Sequence, residues 1–188
     1  MSGPRVISGI AKGKRLKTRK AKNLRPATDY VKEALFNIIA TRVPESIFLD
    51  LFAGTGSIGI EALSRGAQKI IFVEKNPQNA ALIEENLKIT GFLNQAQIYR
   101  CDVTKALALL KKGGYRFDLI FVDPPFRQGL VEPTLDCVYR LKLLFPGGLV
   151  IARSAFGEEI TASQRPVREE RYGDSVLRFY TGESTNES

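Results

Sequence analysis

The chain has 188 residues, a length that fits one domain with a full core. Hydrophobic content of 44% and charged content of 26% are globular values, and no apolar run approaches the roughly 20 residues of a membrane-spanning helix, so disordered and membrane classes are set aside. The net charge is +8 with no histidine, which removes Ser-His and Cys-His nucleophile pairs and leaves carboxylates, amides, lysines or a cofactor to carry any chemistry.

Neither Cys101 nor Cys137 sits in a metal-binding spacing, and without histidine no metal site is expected. The amino terminus lacks the apolar core of a signal peptide. A reduced cytoplasmic protein with two buried thiols is the expectation, with no membrane partner and a monomeric state.

The charge is unevenly spread. Before Asp29 the chain carries nine basic residues and no acid: Arg5, Lys12, Lys14, Arg15, Lys17, Arg19, Lys20, Lys22 and Arg25. The remaining 19 basic and 20 acidic residues nearly cancel, so the whole excess lies in the amino-terminal segment. A solvated tail has this composition, but ahead of a neutral domain the run reads as a phosphate-binding arm. Within it, Arg5-Val6-Ile7-Ser8-Gly9 and Lys14-Arg15-Leu16-Lys17-Thr18 predict two short strands about a glycine-containing turn, a small basic hairpin.

Arg25-Pro26-Ala27 is a break, after which Thr28 caps a helix with apolar positions Val31, Ala34, Leu35, Ile38 and Ile39. Pro44 ends that region. From there strands at 47–51, 69–74, 96–101, 117–122 and 149–153 alternate with helices at about 57–65, 77–90, 104–112 and 129–144. Continuous apolar strands between helix-length segments predict an α/β fold, a parallel sheet covered on both faces. Segments 167–172 and 175–181 flank Gly173-Asp174, an antiparallel hairpin signal. The expected organisation is a basic arm over 1–27 that contacts RNA, a domain over 28–182, and a disordered tail over 183–188.

The chemistry concentrates at strand ends. Asp50 precedes the loop Phe52-Ala53-Gly54-Thr55-Gly56-Ser57, whose glycines permit a sharp turn and a close ligand approach. Glu74 stands twenty residues past Gly54, where an acid can take both hydroxyls of a ribose. Asp102, after the third strand, offers an acceptor for an adenine amine. Asp123-Pro124-Pro125-Phe126 follows the fourth strand: a carboxylate, two prolines that stiffen the turn, and an aromatic face for a base. Gly54-x-Gly56 with Gly59 also matches a dinucleotide fingerprint, but Asp50 just before the glycines would repel a pyrophosphate and welcome a cationic amino-acid group.

On these residues the chain resembles the S-adenosylmethionine-dependent methyltransferases of the seven-stranded Rossmann-like class. With Arg5–Gly9, Lys12-Gly13-Lys14-Arg15-Leu16, Arg25-Pro26-Ala27-Thr28-Asp29 and Lys32-Glu33-Ala34-Leu35-Phe36-Asn37-Ile38, it resembles more narrowly the 16S rRNA (guanine966-N2)-methyltransferase family. The resemblance implies S-adenosyl-L-methionine as cofactor, held by Asp50, Phe52, Gly54, Gly56, Ser57, Glu74, Lys75, Asp102 and Val103. It implies Asp123, Pro124, Pro125 and Phe126 as the catalytic group, and ribosomal RNA, as the small subunit or an assembly intermediate of it, as partner. The reaction so implied is methylation of the exocyclic N2 amine of a guanine. The alternatives are an N6-adenine or N4-cytosine amino-methyltransferase acting on DNA or other RNA, a non-catalytic RNA-binding assembly factor with this fold, and, weakest, a nicotinamide-dependent dehydrogenase. One departure stands in Val150-Ile151-Ala152-Arg153-Ser154: Arg153 lies where the family often carries an acid.

Overall fold

The computed structural model describes residues 4–19 and 29–182. Lys20, Lys22, Arg25, the break at 25–27, the Thr28 cap and the tail from 183 onward lie outside the described residues. In chain order the elements are α1 (Asp29–Ile38), β1 (Ile47–Leu51), α2 (Ser57–Ser64), β2 (Lys69–Val73), α3 (Pro77–Thr90), β3 (Ala96–Tyr99), α4 (Val103–Lys112), β4 (Phe117–Val122), α5 (Val131–Arg140), β5 (Leu144–Ala155), β6 (Arg168–Tyr172) and β7 (Ser175–Thr181).

The strands form one seven-stranded sheet in the order β3-β2-β1-β4-β5-β7-β6. The first five are parallel, and β7 pairs antiparallel with both β5 and β6. Successive strand residues point to opposite faces, which gives two cores. Phe48, Phe72 and Phe121 pack with Leu35 and Phe36 of α1, Leu63 of α2 and Leu87 of α3. Leu49, Ile71 and Ile120 pack with Leu107 and Leu110 of α4 and Leu135 and Val138 of α5. From β1 the chain runs outward through β2 and β3, then returns to place β4 and β5 on the other side. The crevice at the carboxyl ends of β1 and β4 is therefore the switch point where open α/β sheets take their ligands. No helix among the described residues is long and apolar enough to cross a membrane.

Several boundaries differ from the sequence expectation. The last parallel strand is longer, Leu144–Ala155, and its pairing with β4 shifts register between Phe117 and Leu119. The helix before it is shorter, because Gly129 and Lys142 take left-handed backbone angles on either side. β3 stops at Tyr99, which frees the chain for Asp102 to cap α4. Cys101 and Cys137 are free thiols, and both are half-buried rather than buried.

The amino-terminal segment doubles back on itself as expected, with the N–H groups of Val6 and Leu16 donating to the carbonyls of Lys14 and Pro4 at 2.9 and 2.8 Å, but it forms no regular strands among its described residues. It keeps one isolated antiparallel bridge, Arg5 to Arg15. Other backbone donors reach the domain. The N–H groups of Ile7 and Ser8 donate to Glu61 at 2.8 and 3.0 Å, that of Ala11 to Ser64 Oγ at 2.9 Å, and that of Lys17 to Asn86 Oδ1 at 2.7 Å. Val6, Ala11 and Leu16 are buried in the core under α1, α2 and α3. Contact is closest at Gly9, where a Cβ would lie 1.7 Å from the Ser64 carbonyl oxygen.

Candidate functional site

Asp50 sits one residue inside the end of β1, between Phe72 of β2 and Phe121 of β4 in the sheet register. It is 2% exposed, and its Oδ2 accepts the Gly59 N–H at 3.0 Å, which ties the strand to the first turn of α2. Burial pushes its carboxyl up to about 8; the Gly59 bond opposes this, and the nearby Asp123 and Glu74 add to it. A buried acid that is costly to ionise favours a cationic neighbour.

Phe52, the next residue past β1, has φ +63°. For a bulky non-glycine residue that is strained backbone, and it turns the chain out of the strand into the loop. Gly54 and Gly56 also have positive φ, and the Gly56 N–H closes the turn on the Ala53 carbonyl at 2.8 Å. A Cβ on Gly54 would meet only the Phe52 carbonyl oxygen, at 4.0 Å, so the space beside this backbone is open to a ligand. Ser57 opens α2 and is buried.

Glu74 follows β2 directly and is buried. Its Oε2 accepts the Gly54 N–H and its Oε1 the Asn76 N–H, each at 2.8 Å, so this one carboxylate pins the glycine loop to the end of β2. Each oxygen keeps capacity for a further donor. Lys75 is exposed beside it. Asp102 caps α4, with Oδ1 accepting the Lys105 N–H at 2.9 Å; it is exposed, and Val103 behind it is half-buried.

Asp123 follows β4, with its side chain one-fifth exposed (20%). Pro124 is buried, Pro125 exposed and Phe126 half-buried. Burial pushes the Asp123 carboxyl up to about 6, against the pull of the Arg153 guanidinium, so it is an anion above neutral pH. Arg153 Nε lies 3.3 Å from Asp123 Oδ1, and the guanidinium carbon lies 5.0 Å from the centre of the Phe126 ring. Arg153 was visible in the sequence only as a departure; its signal is a charge within an apolar strand.

The fold therefore brings Asp50, Glu74 and Asp123 to one crevice, with the glycine loop at its edge, while Asp102 stands farther out beyond β3. The donor and acceptor set fits S-adenosylmethionine: an acid at Glu74 for hydroxyls, a buried acid at Asp50 for a cationic amino group, and open backbone at Gly54. Among the described residues no group of acids and cysteines could hold a metal ion.

The basic arm divides in two. Lys14 donates to the carbonyls of Ile89 and Thr90 at 3.2 and 3.3 Å, Lys17 pairs with Glu85 at 2.8 Å, and Arg5 lies 3.5 Å from Asp29. Lys12, Arg15 and Arg19 are exposed and present their charge to solvent.

Comparison with known proteins agrees with this geometry. The model of a family described as conserved hypothetical protein 95 matches residues 4–181. The protein YlbH of Bacillus subtilis (strain 168), named provisionally as an rRNA methyltransferase, is 36% identical over 179 residues, covering 94% of this chain and 97% of its own length. Ribosomal RNA small subunit methyltransferase D of Escherichia coli (strain K12) is 32% identical over 187 residues, covering 98% of this chain and 92% of its own. The solved structure of a hypothetical protein from Thermus thermophilus superposes with a TM-score of 0.82 at 29% identity, covering 94% of this chain and 98% of that one. The chain belongs to the conserved hypothetical protein 95 family, together with relatives named ribosomal RNA small subunit methyltransferase D.

Proposed function

We propose that the protein methylates the exocyclic N2 amine of a guanine in small-subunit ribosomal RNA, using S-adenosylmethionine. The observation that carries this reading is the position of Asp123-Pro124-Pro125-Phe126 beside Asp50 and Glu74, at the crevice bordered by the glycine loop. When bound, S-adenosylmethionine supplies a methyl group on a good leaving group, so the protein's part is positioning and electrostatics.

An aryl amine is a poor nucleophile because its lone pair is delocalised into the ring. The Asp123 carboxylate accepts one N–H of the target and the Pro124 carbonyl the other, which holds the nitrogen toward the methyl and favours a tetrahedral geometry. Phe126 stacks on the base, which leaves its helix or loop to enter, at a cost of roughly a few kcal/mol. On the cofactor side Glu74 takes the ribose hydroxyls and Asp50 the amino group, with Phe52, Gly54, Gly56, Ser57 and Lys75 lining the loop and Asp102 with Val103 at the adenine end. Lys12, Arg15 and Arg19, together with Lys20, Lys22 and Arg25, pair with RNA phosphates. A nicotinamide dinucleotide would bring its pyrophosphate to the glycine loop beside Asp50, where an acid stands instead of a cation.

The test is incubation of the purified protein with S-adenosylmethionine and either naked small-subunit RNA or assembled small subunits, followed by nucleoside analysis. N2-methylguanosine is expected. N6-methyladenosine or N4-methylcytosine would move the substrate to the alternative amines, and no methylation of any RNA would leave a binding protein with this fold.

A further inference from the structure

Arg153 is the one charged side chain in β5, between Ala152 and Ser154, and it is 5% exposed. Its Nε and Nη1 are buried and make no hydrogen bond among the described residues. The contact with Asp123 is close enough for a strong charge interaction but is not aligned as a hydrogen bond. The same guanidinium lies over the ring of Phe126. A pair serving stability alone is expected to be satisfied on its donors, because an unsatisfied buried charge is costly. Here one planar cation touches both the acid and the ring.

We propose that Arg153 is a positioning residue for methyl transfer: its guanidinium keeps Asp123 a carboxylate and fixes it relative to the Phe126 ring, so that acceptor and stacking face meet the same base. This rests on the reading of Asp123 as acceptor of the target amine. A protonated carboxyl would turn a hydrogen toward that amine instead of a lone pair. The charged groups around Asp123 are Arg153 from β5, Asp50 from β1 and, beside Asp50, Glu74 from the end of β2. Without Arg153, burial alone acts on Asp123, and it favours the neutral form. Turnover therefore falls as pH drops through the Asp123 ionisation, near 6 in the wild type, and loss of Arg153 moves that fall to higher pH.

The test uses the full chain with Arg153→Met, Arg153→Gln and Arg153→Lys. It reads kcat against pH at saturating RNA and cofactor, and the Asp123 carboxyl titration by NMR in cofactor-free protein. In the two neutral variants the acid limb and the carboxyl titration should both move up by about one pH unit or more. Turnover at pH 7 then drops about twofold for a shift of one unit and about tenfold for a shift of two, and recovers in large part by pH 9, with cofactor affinity within about threefold of wild type. Arg153→Lys should return the acid limb toward its wild-type position. An unmoved Asp123 titration in the neutral variants, or a loss of turnover equal at every pH, would overturn the proposal. The two neutral variants differ in shape and polarity, so whichever folds decides the question. Absence of RNA methylation by the wild type would instead sink the functional reading, and the titration would still decide what Arg153 does to Asp123.

Discussion

Asp50 and Asp123 are both acids beside buried strands, yet only Asp123 has a cation against it. The consequence for Asp50 has a definite sign. Its carboxyl is raised in the folded state to about 8 from an ordinary 3.8, so between those values the folded chain holds a proton that the unfolded chain has lost. Its contribution to stability is present below about pH 4 and is lost as pH rises toward 8, with a slope on the order of 1.4 kcal/mol per pH unit at most. Asp50→Asn should flatten that decline, which thermal unfolding of both proteins between pH 5 and 8 would register; parallel pH curves would contradict it. Glu74 acts through hydrogen bonds. Removing its carboxylate frees the Gly54 and Asn76 N–H groups as well as the proposed ribose contact, and bonds to a charged acceptor contribute roughly 1.5–3 kcal/mol each. Glu74→Ala should weaken S-adenosylmethionine binding tenfold or more by calorimetry, with turnover at saturation less affected.

At the scale of elements, the amino-terminal segment and α2 behave as one unit. Glu61 is fully buried and takes two backbone N–H groups of the segment, the Arg65 side chain at 2.8 Å and the charge of Lys32 at 3.7 Å. Lys32, also fully buried, donates to the Arg5 carbonyl at 2.6 Å and to Ser57 Oγ at 3.1 Å. Taking one member from such a cluster strands the others, so Glu61→Ala should cost about 3–5 kcal/mol in urea unfolding. A loss below about 1 kcal/mol would mean that the segment is only loosely held. Asn86 extends the same link to the cofactor loop: its amide bonds Lys17 on one side and the Thr55 carbonyl, at 3.0 Å, on the other. Because Val6, Ala11 and Leu16 are core residues, truncating the segment would disturb the fold along with the charge. Charge alone is removed by Lys12→Gln, Arg15→Gln and Arg19→Gln together. That variant should melt like the wild type and bind RNA with a log K against log[salt] slope shallower by about 2–3, at 0.7–0.9 per lost phosphate contact. An unchanged slope would make these three side chains bystanders.

For the whole molecule, the sheet was readable from period and punctuation. β1, β4 and β7 have the bounds expected from their apolar runs, and the Gly173-Asp174 turn announced the antiparallel end. That β7 lies inside β6 was not readable, but it has a reason: β7 is buried along most of its length, whereas Arg168-Glu169-Glu170-Arg171 suits an exposed edge that must not pair with another chain. The glycine loop, Glu74 and the Asp123 turn were legible because their spacing is local. What escaped were contacts across more than 50 residues, such as Ile7 to Glu61 and Lys17 to Asn86. A signal for them existed all the same. Glu61 within Ser57–Ser64, Lys32 on the buried stripe of α1 and Arg153 in β5 are each a charge placed where the pattern asks for an apolar residue, and each has a partner in the fold. The claim that binds these scales together is that Asp123 serves transfer to a guanine amine of small-subunit RNA. The most direct measurement is mass mapping of that RNA from cells lacking the protein, complemented with wild type or with Asp123→Asn. The expected result is one N2-methylguanosine restored by the wild type and absent with a folded Asp123→Asn, whose turnover should fall about 10²–10³-fold in the purified enzyme. Full restoration by Asp123→Asn, or a methyl group restored on a different atom, would contradict it.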